Sequence, residues 1–365
     1  MSMNSENINK LPLLLTSSLV LGVILLALRF LHLIPETHIA VIVIAALLLG
    51  ATVFSAVHHA KILALKVGEP LGSIILALAV TIIESGLVIS LMSSGKIGAE
   101  FIGRDTIFST LIIVLNGIVG LCLVVGGAKH HEQTFKLDGA AAALSVLTTL
   151  AVISLIVPTY TISSPGPYYT AFQLGFVGVV SLALYCVFVF VQTVLHHDYF
   201  VPVQDDEHHS LKPLNRIVFL SSVLLPAALV VVVLLAKFLS VPISNMVAAA
   251  GLPIAFVGVI IAFVVLLPEG LAAVRAARLN QLQTSLNLAL GSAIATIGLT
   301  IPILAIYSIW QNAKLALGIG PQATVMLLLT VFVSSSTLAT GRTTILQGSV
   351  HLVIFVVFLF LSAVP

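Results

Sequence analysis

Apolar residues in this chain run in long continuous stretches, broken at helix-length intervals by short polar clusters. The in-out alternation that marks the strands of a membrane barrel is missing. Many stretches reach the roughly 18 to 20 residues that a helix needs to cross about 30 Å of hydrocarbon. The pattern predicts eleven spans, at roughly 11–34, 38–57, 71–94, 105–127, 138–158, 169–194, 214–239, 251–275, 283–310, 321–340 and 345–364. The fold class that follows is an all-α polytopic membrane protein with short loops.

Composition supports this reading. Hydrophobic residues make up 59% of the 365 and charged residues 8%, against about 25% charged in a soluble domain. Too few charges remain to cover a water-facing surface. The net charge of +2 adds nothing, and no basic stripe with interleaved aromatics points to nucleic acid. Cys122 and Cys186 lie in separate spans and suggest neither a metal pair nor a disulfide framework. The opening MSMNSENINK has one lysine and leads into a span without a small-residue cleavage site, which predicts a retained first helix. No HExxH, GxSxG or paired catalytic Asp motif is present, so an intramembrane enzyme is not expected, and no cofactor is called for.

Lysine and arginine placement sets an orientation. With the N-terminus in the cytoplasm, Lys10, Lys61, Lys66, Lys129, Lys136, Lys212, Arg216, Arg275, Arg278 and Arg342 face inward, against Lys96, Arg104, Lys237 and Lys314 outward. The C-terminus is then outside, and the expected location is a bacterial inner membrane. The longest loop, 196–213, carries Asp198, Asp205, Asp206 and Glu207 and faces the cytoplasm.

Residues 1–37 form a tail and an extra first helix. Five spans then precede the acidic loop (38–195) and five follow it (214–365). The second span of the first half reads GEPLGSIILALAVTIIESGL, and that of the second half reads GLPIAFVGVIIAFVVLLPEGL. Both open on Gly-x-Pro, and both carry one glutamate deep in an apolar run, Glu84 and Glu269. The helices that carry these glutamates are five apart in order, an odd number, so the halves insert in opposite orientations, as inverted-repeat transporters do.

A carboxylate at a helix centre costs about 2.5–3.5 kcal/mol on insertion scales, and such residues mark ion pathways by default. Protonated glutamates bonded to a neighbouring helix are the plainer alternative. Burial disfavours the ionised carboxylate, whereas a cation between two carboxylates favours it. Protons and a hard, oxygen-seeking cation therefore compete for the same oxygens. Competition of this kind drives antiport when the site opens alternately to each side. A cation channel is the alternative transport reading, and uphill proton-coupled movement separates the two.

Two glutamates alone do not complete a Ca²⁺ shell of six to eight oxygens. The following helices, RDTIFST to Asn116 and QTSLNLALGSAIATIGLTIP, are rich in small polar residues. Aligning Asp105 with Asn287 sets Ser109 and Thr110 against Gly291 and Ser292. Asn287 and Ser292 are the stronger ligand candidates, although close helix packing accounts for most small residues here. Asp105 suits a helix N-terminus or an ion entry point, and Thr81 stands one turn from Glu84. Pro268 removes a backbone donor and is expected to break or kink its helix, while the first half has Ile83 at that place. Four histidine doublets, 58–59, 130–131, 196–197 and 208–209, face the cytoplasm in this topology. They are either interfacial polar residues or pH sensors. His351, early in the last span, is expected to pair with a loop or backbone carbonyl.

The block PEGLAAVRAARLNQLQTSLNLALGSAIATIGLTIP, Pro268 to Pro302, resembles the second α-repeat of calcium/proton antiporters. GEPLGSIILALAVTIIES resembles the first, and TGRTTILQGSVHL with the acidic loop also fits. The likeness spans nearly the whole chain. It is strongest to bacterial ChaA-type calcium/proton and sodium (potassium)/proton antiporters, within the cation/Ca²⁺ exchanger superfamily. It implies an inverted-repeat core of ten helices behind one extra helix, and ion-binding glutamates at Glu84 and Glu269. It implies export of Ca²⁺, Na⁺ or K⁺ against inward protons. The alternative is a Na⁺/H⁺ or K⁺/H⁺ antiporter with little Ca²⁺ transport. The chain departs from the superfamily at Ile83 and at Arg104–Asp105.

Overall fold

The structure is a computed structural model that describes residues 13–33, 38–68, 71–93, 98–200 and 213–365. Lys10, Lys96, Lys212, Asp205, Asp206, Glu207 and the His208–His209 doublet lie outside the described residues. Ten described helices are long and apolar enough to cross a membrane: α2 (Ile39–Val67), α3 (Leu71–Met92), α4 (Ala99–His130), α5 (Leu137–Tyr160), α6 (Ala171–Leu195), α7 (Asn215–Ala249), α8 (Ala255–Arg278), α9 (Leu282–Gln311), α10 (Pro321–Leu338) and α11 (Ile345–Ala363). A further apolar helix, α1 (Leu13–Phe30), precedes them. The expected spans match these helices one for one. The largest differences are at α2 and α7, which each continue ten residues past the expected ends at 57 and 239; in α2, Val57–Val67 stays apolar enough to remain helical around its polar members.

The chain divides into two compact units, and each draws helices from both halves of the sequence. The first unit contains α1, α2, α3 and α7. Here α2 packs along α7, α3 and α1. Gly22 of α1 permits the close approach, since a Cβ there would come within 2.9 Å of Val231. His59 is fully buried on α2, and its Nδ1 lies 3.1 Å from the Ser221 hydroxyl of α7. This member of the first doublet is thus a helix-to-helix contact rather than a water-facing residue.

The second unit contains α4–α6 and α8–α11. Its most enclosed helices are α4 and α9, the third of each sequence half. Helix α9 packs on α6 and α5, α11 on α4, and α8 on both α4 and α9. Small residues bring α4 and α11 together: a Cβ on Gly348 would meet the Val124 amide nitrogen at 2.6 Å and the Gly120 carbonyl oxygen at 2.8 Å. Two short antiparallel strands, β1 (Glu132–Thr134) and β2 (Arg342–Thr344), clip the end of α4 to the start of α11. Helices α6 and α11 close the two sequence halves, and both begin with the same device. Thr170 with Gln173 and Thr344 with Gln347 each form a capping box, which satisfies amides left open at a helix start.

Three first-half helices contain a π-helical turn, at Ile113–Ile118, Val152–Ile156 and Val191–Leu195. Three second-half helices carry internal prolines, Pro226 and Pro242 in α7, Pro268 in α8 and Pro302 in α9, while the first half has Pro158 in the last turn of α5. Of the break or kink expected at Pro268, the break does not occur; α8 runs unbroken from Ala255 to Arg278. Packing of α8 against α4 and α9 holds the helix together through the missing donor, a tolerance common in membrane helices.

Candidate functional site

In the first unit, Thr81 and Glu84 lie on α3, both buried, three residues apart and so on one helix face. The Ser85 hydroxyl donates to the Thr81 carbonyl at 2.5 Å, which turns a neighbouring polar group back onto its own helix. Glu84 stands well inside the span, about 20 Å of helix beyond Leu71.

In the second unit, Glu269 follows Pro268 on α8, and this carboxyl group is partly buried. Pro268 leaves the carbonyl of Val264 without its usual helical donor one turn earlier. Helices α8 and α9 form an antiparallel hairpin around Leu279–Gln281. Glu269 lies about 14 Å before the end of α8, and Ser292 about 15 Å after the start of α9. The two therefore share a depth. The Ser292 hydroxyl is buried and has no hydrogen-bond partner among the described residues, so its oxygen is available to a ligand.

Asn287 is placed differently. It lies about 7 Å nearer the hairpin loop than Ser292. Its amide donates to the Phe200 carbonyl at 2.6 Å, and its oxygen accepts from Gln283 at 2.9 Å. Gln283 in turn accepts from the Lys136 amide at 2.6 Å. Asn287 fastens α9 to the segments that flank α5 and α6.

Asp105 is likewise engaged. It is buried and accepts from Arg104 Nε at 2.8 Å. The same guanidinium donates to the Gly318 carbonyl at 3.0 Å and sits over the Phe101 ring. Asp105 packs against Gly258, whose absent side chain makes room for it. Gly258 is about 16 Å along α8 from Glu269, so Asp105 and the Glu269–Ser292 layer lie at different depths.

One buried polar cluster goes beyond the sequence-derived candidates. The Thr330 hydroxyl of α10 donates to the Met326 carbonyl at 2.8 Å, so its oxygen accepts from the Asn116 amide of α4 at 2.9 Å. The Asn116 oxygen then faces His351 Nδ1 at 3.0 Å, which fixes the proton on Nδ1. His351 Nε2 lies 3.1 Å from the Thr337 hydroxyl. His351 is therefore the hub of a three-helix network, and of the loop or backbone carbonyl expected for it, it has a backbone partner at Leu115. Thr330, Ser334 and Thr337 are buried at the i, i+4, i+7 spacing of one helix face. That spacing was the readable signal. Asn116 itself sits in the π-helical turn of α4, a feature often found at functional sites.

The family model described as sodium/calcium exchanger protein matches residues 37–194 and 220–364. An ionic transporter, y4hA, of Sinorhizobium fredii is 51% identical over 348 residues, covering 94% of each chain. The sodium-potassium/proton antiporter ChaA of Escherichia coli is 34% identical over 351 residues, covering 94% of this chain and 95% of that one. The solved structure of native YfkE superposes with a TM-score of 0.74 at 18% identity, covering 96% of this chain and all of the other, a likeness of fold.

Proposed function

Because this chain belongs to the sodium/calcium exchanger protein family, we propose that it is a secondary cation/proton antiporter working through Glu84 and Glu269. The observation that carries this reading is a pair of carboxyl groups deep in apolar helices, at matching places in the two sequence halves. Ionised, they neutralise a hard cation; protonated, they carry protons in its place. A divalent ion or two protons leave the site with the same charge. Ser292 adds a neutral oxygen beside Glu269, and Thr81 one beside Glu84. Asn287 and Asp105 hold the helices that carry the site, since the Asn287 amide and one Asp105 carboxylate oxygen already have protein partners.

The two halves, 38–195 and 214–365, act as inverted repeats behind the extra N-terminal helix. The N-terminus lies in the cytoplasm of a bacterial inner membrane, and the cation leaves as protons enter. Ca²⁺ suits the paired carboxylates. Na⁺ or K⁺ exchange with little Ca²⁺ transport is the second reading, favoured by the name of the 34% identical ChaA protein.

Inside-out vesicles with an imposed proton gradient and a pH-sensitive dye test the proposal. Adding Ca²⁺, Na⁺ or K⁺ separately collapses the gradient for the true substrates. Glu84→Gln and Glu269→Gln each abolish the response. Exchange at the unsubstituted rate in either variant refutes the site assignment, and cation flux without proton movement points instead to a channel.

A further inference from the structure

An apolar groove of about 420 Å³ opens on the second unit between α4, α8 and α11. Its floor is a stripe along α8 formed by Phe263, Leu267, Leu271 and Val274, with Leu121 of α4 and Phe355 of α11 as walls. Phe263, Leu271 and Leu121 are exposed, so the groove lies open along its length. The stripe from Phe263 to Val274 is about 16 Å long. Half of a roughly 30 Å hydrocarbon core, the depth of one leaflet, is about 15 Å.

The same stripe leads directly into cations. Arg275 follows Leu271 by four residues, and Arg278 follows Val274 by four, so both continue the groove face at its outer end. Both are exposed, and neither side chain has a hydrogen-bond or ion-pair partner among the described residues. Lys129 and His130, at the end of α4, donate to the Arg278 carbonyl, each at 3.1 Å. The two helix ends therefore meet there. Arg342, on β2, stands at the same end of the unit. The only acidic group on these paired strands, Glu132, is already held by Arg342 at 3.5 Å.

We propose that this groove binds one anionic phospholipid, its phosphate on Arg275, Arg278 and Lys129 and an acyl chain along the α8 stripe. The occupant follows from two properties that occur together. An apolar slot one leaflet deep fits an acyl chain, and the unpaired guanidinium groups at its mouth complement a phosphodiester. A free anion would use the mouth alone, and a zwitterionic lipid would gain little there. The bound lipid also covers the α8 turn that carries Glu269, because Leu267, Gly270 and Leu271 line the groove.

The test is native mass spectrometry of the purified chain in detergent, with phosphatidylglycerol or phosphatidylcholine added. Phosphatidylglycerol should be retained in preference. The double variant R275Q/R278Q should lose that retention by at least about tenfold, whereas R275K/R278K keeps it. Leu271→Trp fills the slot without touching a charge and should also release the lipid. Millimolar inorganic phosphate should not displace it. Equal retention of the two lipids, unchanged retention in R275Q/R278Q, or displacement by phosphate would overturn the proposal. Unchanged retention in Leu271→Trp would overturn the acyl-chain placement. Size-exclusion profiles of all variants establish that each is folded, and the Lys pair and Leu271→Trp decide the matter if the Gln pair is not.

Discussion

The His351 network allows a quantitative test of whether a buried polar hub holds three membrane helices together. His351→Leu removes both imidazole contacts and leaves the space nearly filled. The Thr337 hydroxyl can turn back to its own helix, but the Asn116 oxygen is left buried without its donor. A buried unsatisfied acceptor costs about 1–3 kcal/mol. Side-chain hydrogen bonds between membrane helices average about 0.6 kcal/mol and reach about 1.7. His351→Leu should therefore destabilise the chain by about 1–3 kcal/mol. Asn116→Leu should cost a similar amount, because it leaves the His351 Nδ1 proton unpaired. The double variant, apolar on both sides, should cost less than the sum by about 0.6–1.7 kcal/mol. The protein supplies its own reporter: Cys122 is buried in the second unit and Cys186 is exposed. In a Cys186→Ser background, a thiol-reactive fluorophore labels Cys122 only on unfolding, which can be titrated with dodecyl sulfate. Strictly additive costs would show that His351 and Asn116 do not interact, and the network would have no energetic content.

Three other outcomes follow from the same geometry. Ser292→Ala should raise the half-saturating cation concentration several-fold, for a lost contact of about 1 kcal/mol, while Asn287→Ala lowers thermal stability and leaves that concentration unchanged; the reverse pattern in vesicle exchange would exchange their roles. Gly348→Ala should destabilise by about 1–3 kcal/mol, because the added carbon meets backbone atoms of Val124 and Gly120 that cannot turn away; an unaltered melting curve would deny the close α4–α11 crossing. Tyr169, outside the spans, donates to the Ile153 carbonyl at 2.7 Å, and burial pushes its phenol up to about 12. Its folded value lies above the ordinary one, so its contribution is complete below about pH 10 and is lost as pH rises through about 12; Tyr169→Phe should flatten that part of the alkaline stability loss measured in detergent.

Helix number and placement were readable from the sequence because a bilayer imposes one length on apolar runs, and short loops leave little freedom in counting them. Boundaries were less readable where polar residues continue a helix. The stretch through His58–His59 is the example: a doublet resembles an interface, yet His59 is covered because Ser221 of α7 receives it. Glu84 and Glu269 stood out through the cost of their charge. Asn287 and Asp105 stood out for the same polar character, but only three-dimensional partners reveal that Phe200 and Gln283 occupy one and Arg104 the other. Arg104 and Gln283 are local partners, one and four residues away, but Phe200 is 87 residues from Asn287 and no local pattern announces it. The His351 hub was hidden for a related reason. Its members come from three spans, and only the Thr330–Ser334–Thr337 periodicity was visible in one.

Each sequence half contributes five described spanning helices, but the means of shaping those helices differ. Described first-half helices α4, α5 and α6 are widened by π-helical turns, with one proline, Pro158, in the last turn of α5, whereas α7, α8 and α9 carry prolines and no π-helical turn. Each device frees backbone carbonyls and bends a helix without a break in the span. The asparagines follow the same division of labour. Asn116 is fastened inside a π-helical turn by Thr330 and His351, and Asn287 at a helix start by Phe200 and Gln283. Each amide oxygen already accepts a protein hydrogen bond. What remains available in the second unit at the depth of Glu269 is the Ser292 hydroxyl and, one turn away, the carbonyl opened by Pro268. In the first half Ile83 provides no such carbonyl. If the glutamates bind one ion, the Glu269 helix therefore contributes more neutral oxygen than the Glu84 helix, which has no proline. Substituting Pro268 should then weaken cation binding more than proton binding, because a proton needs only the carboxylate and the cation needs the shell around it.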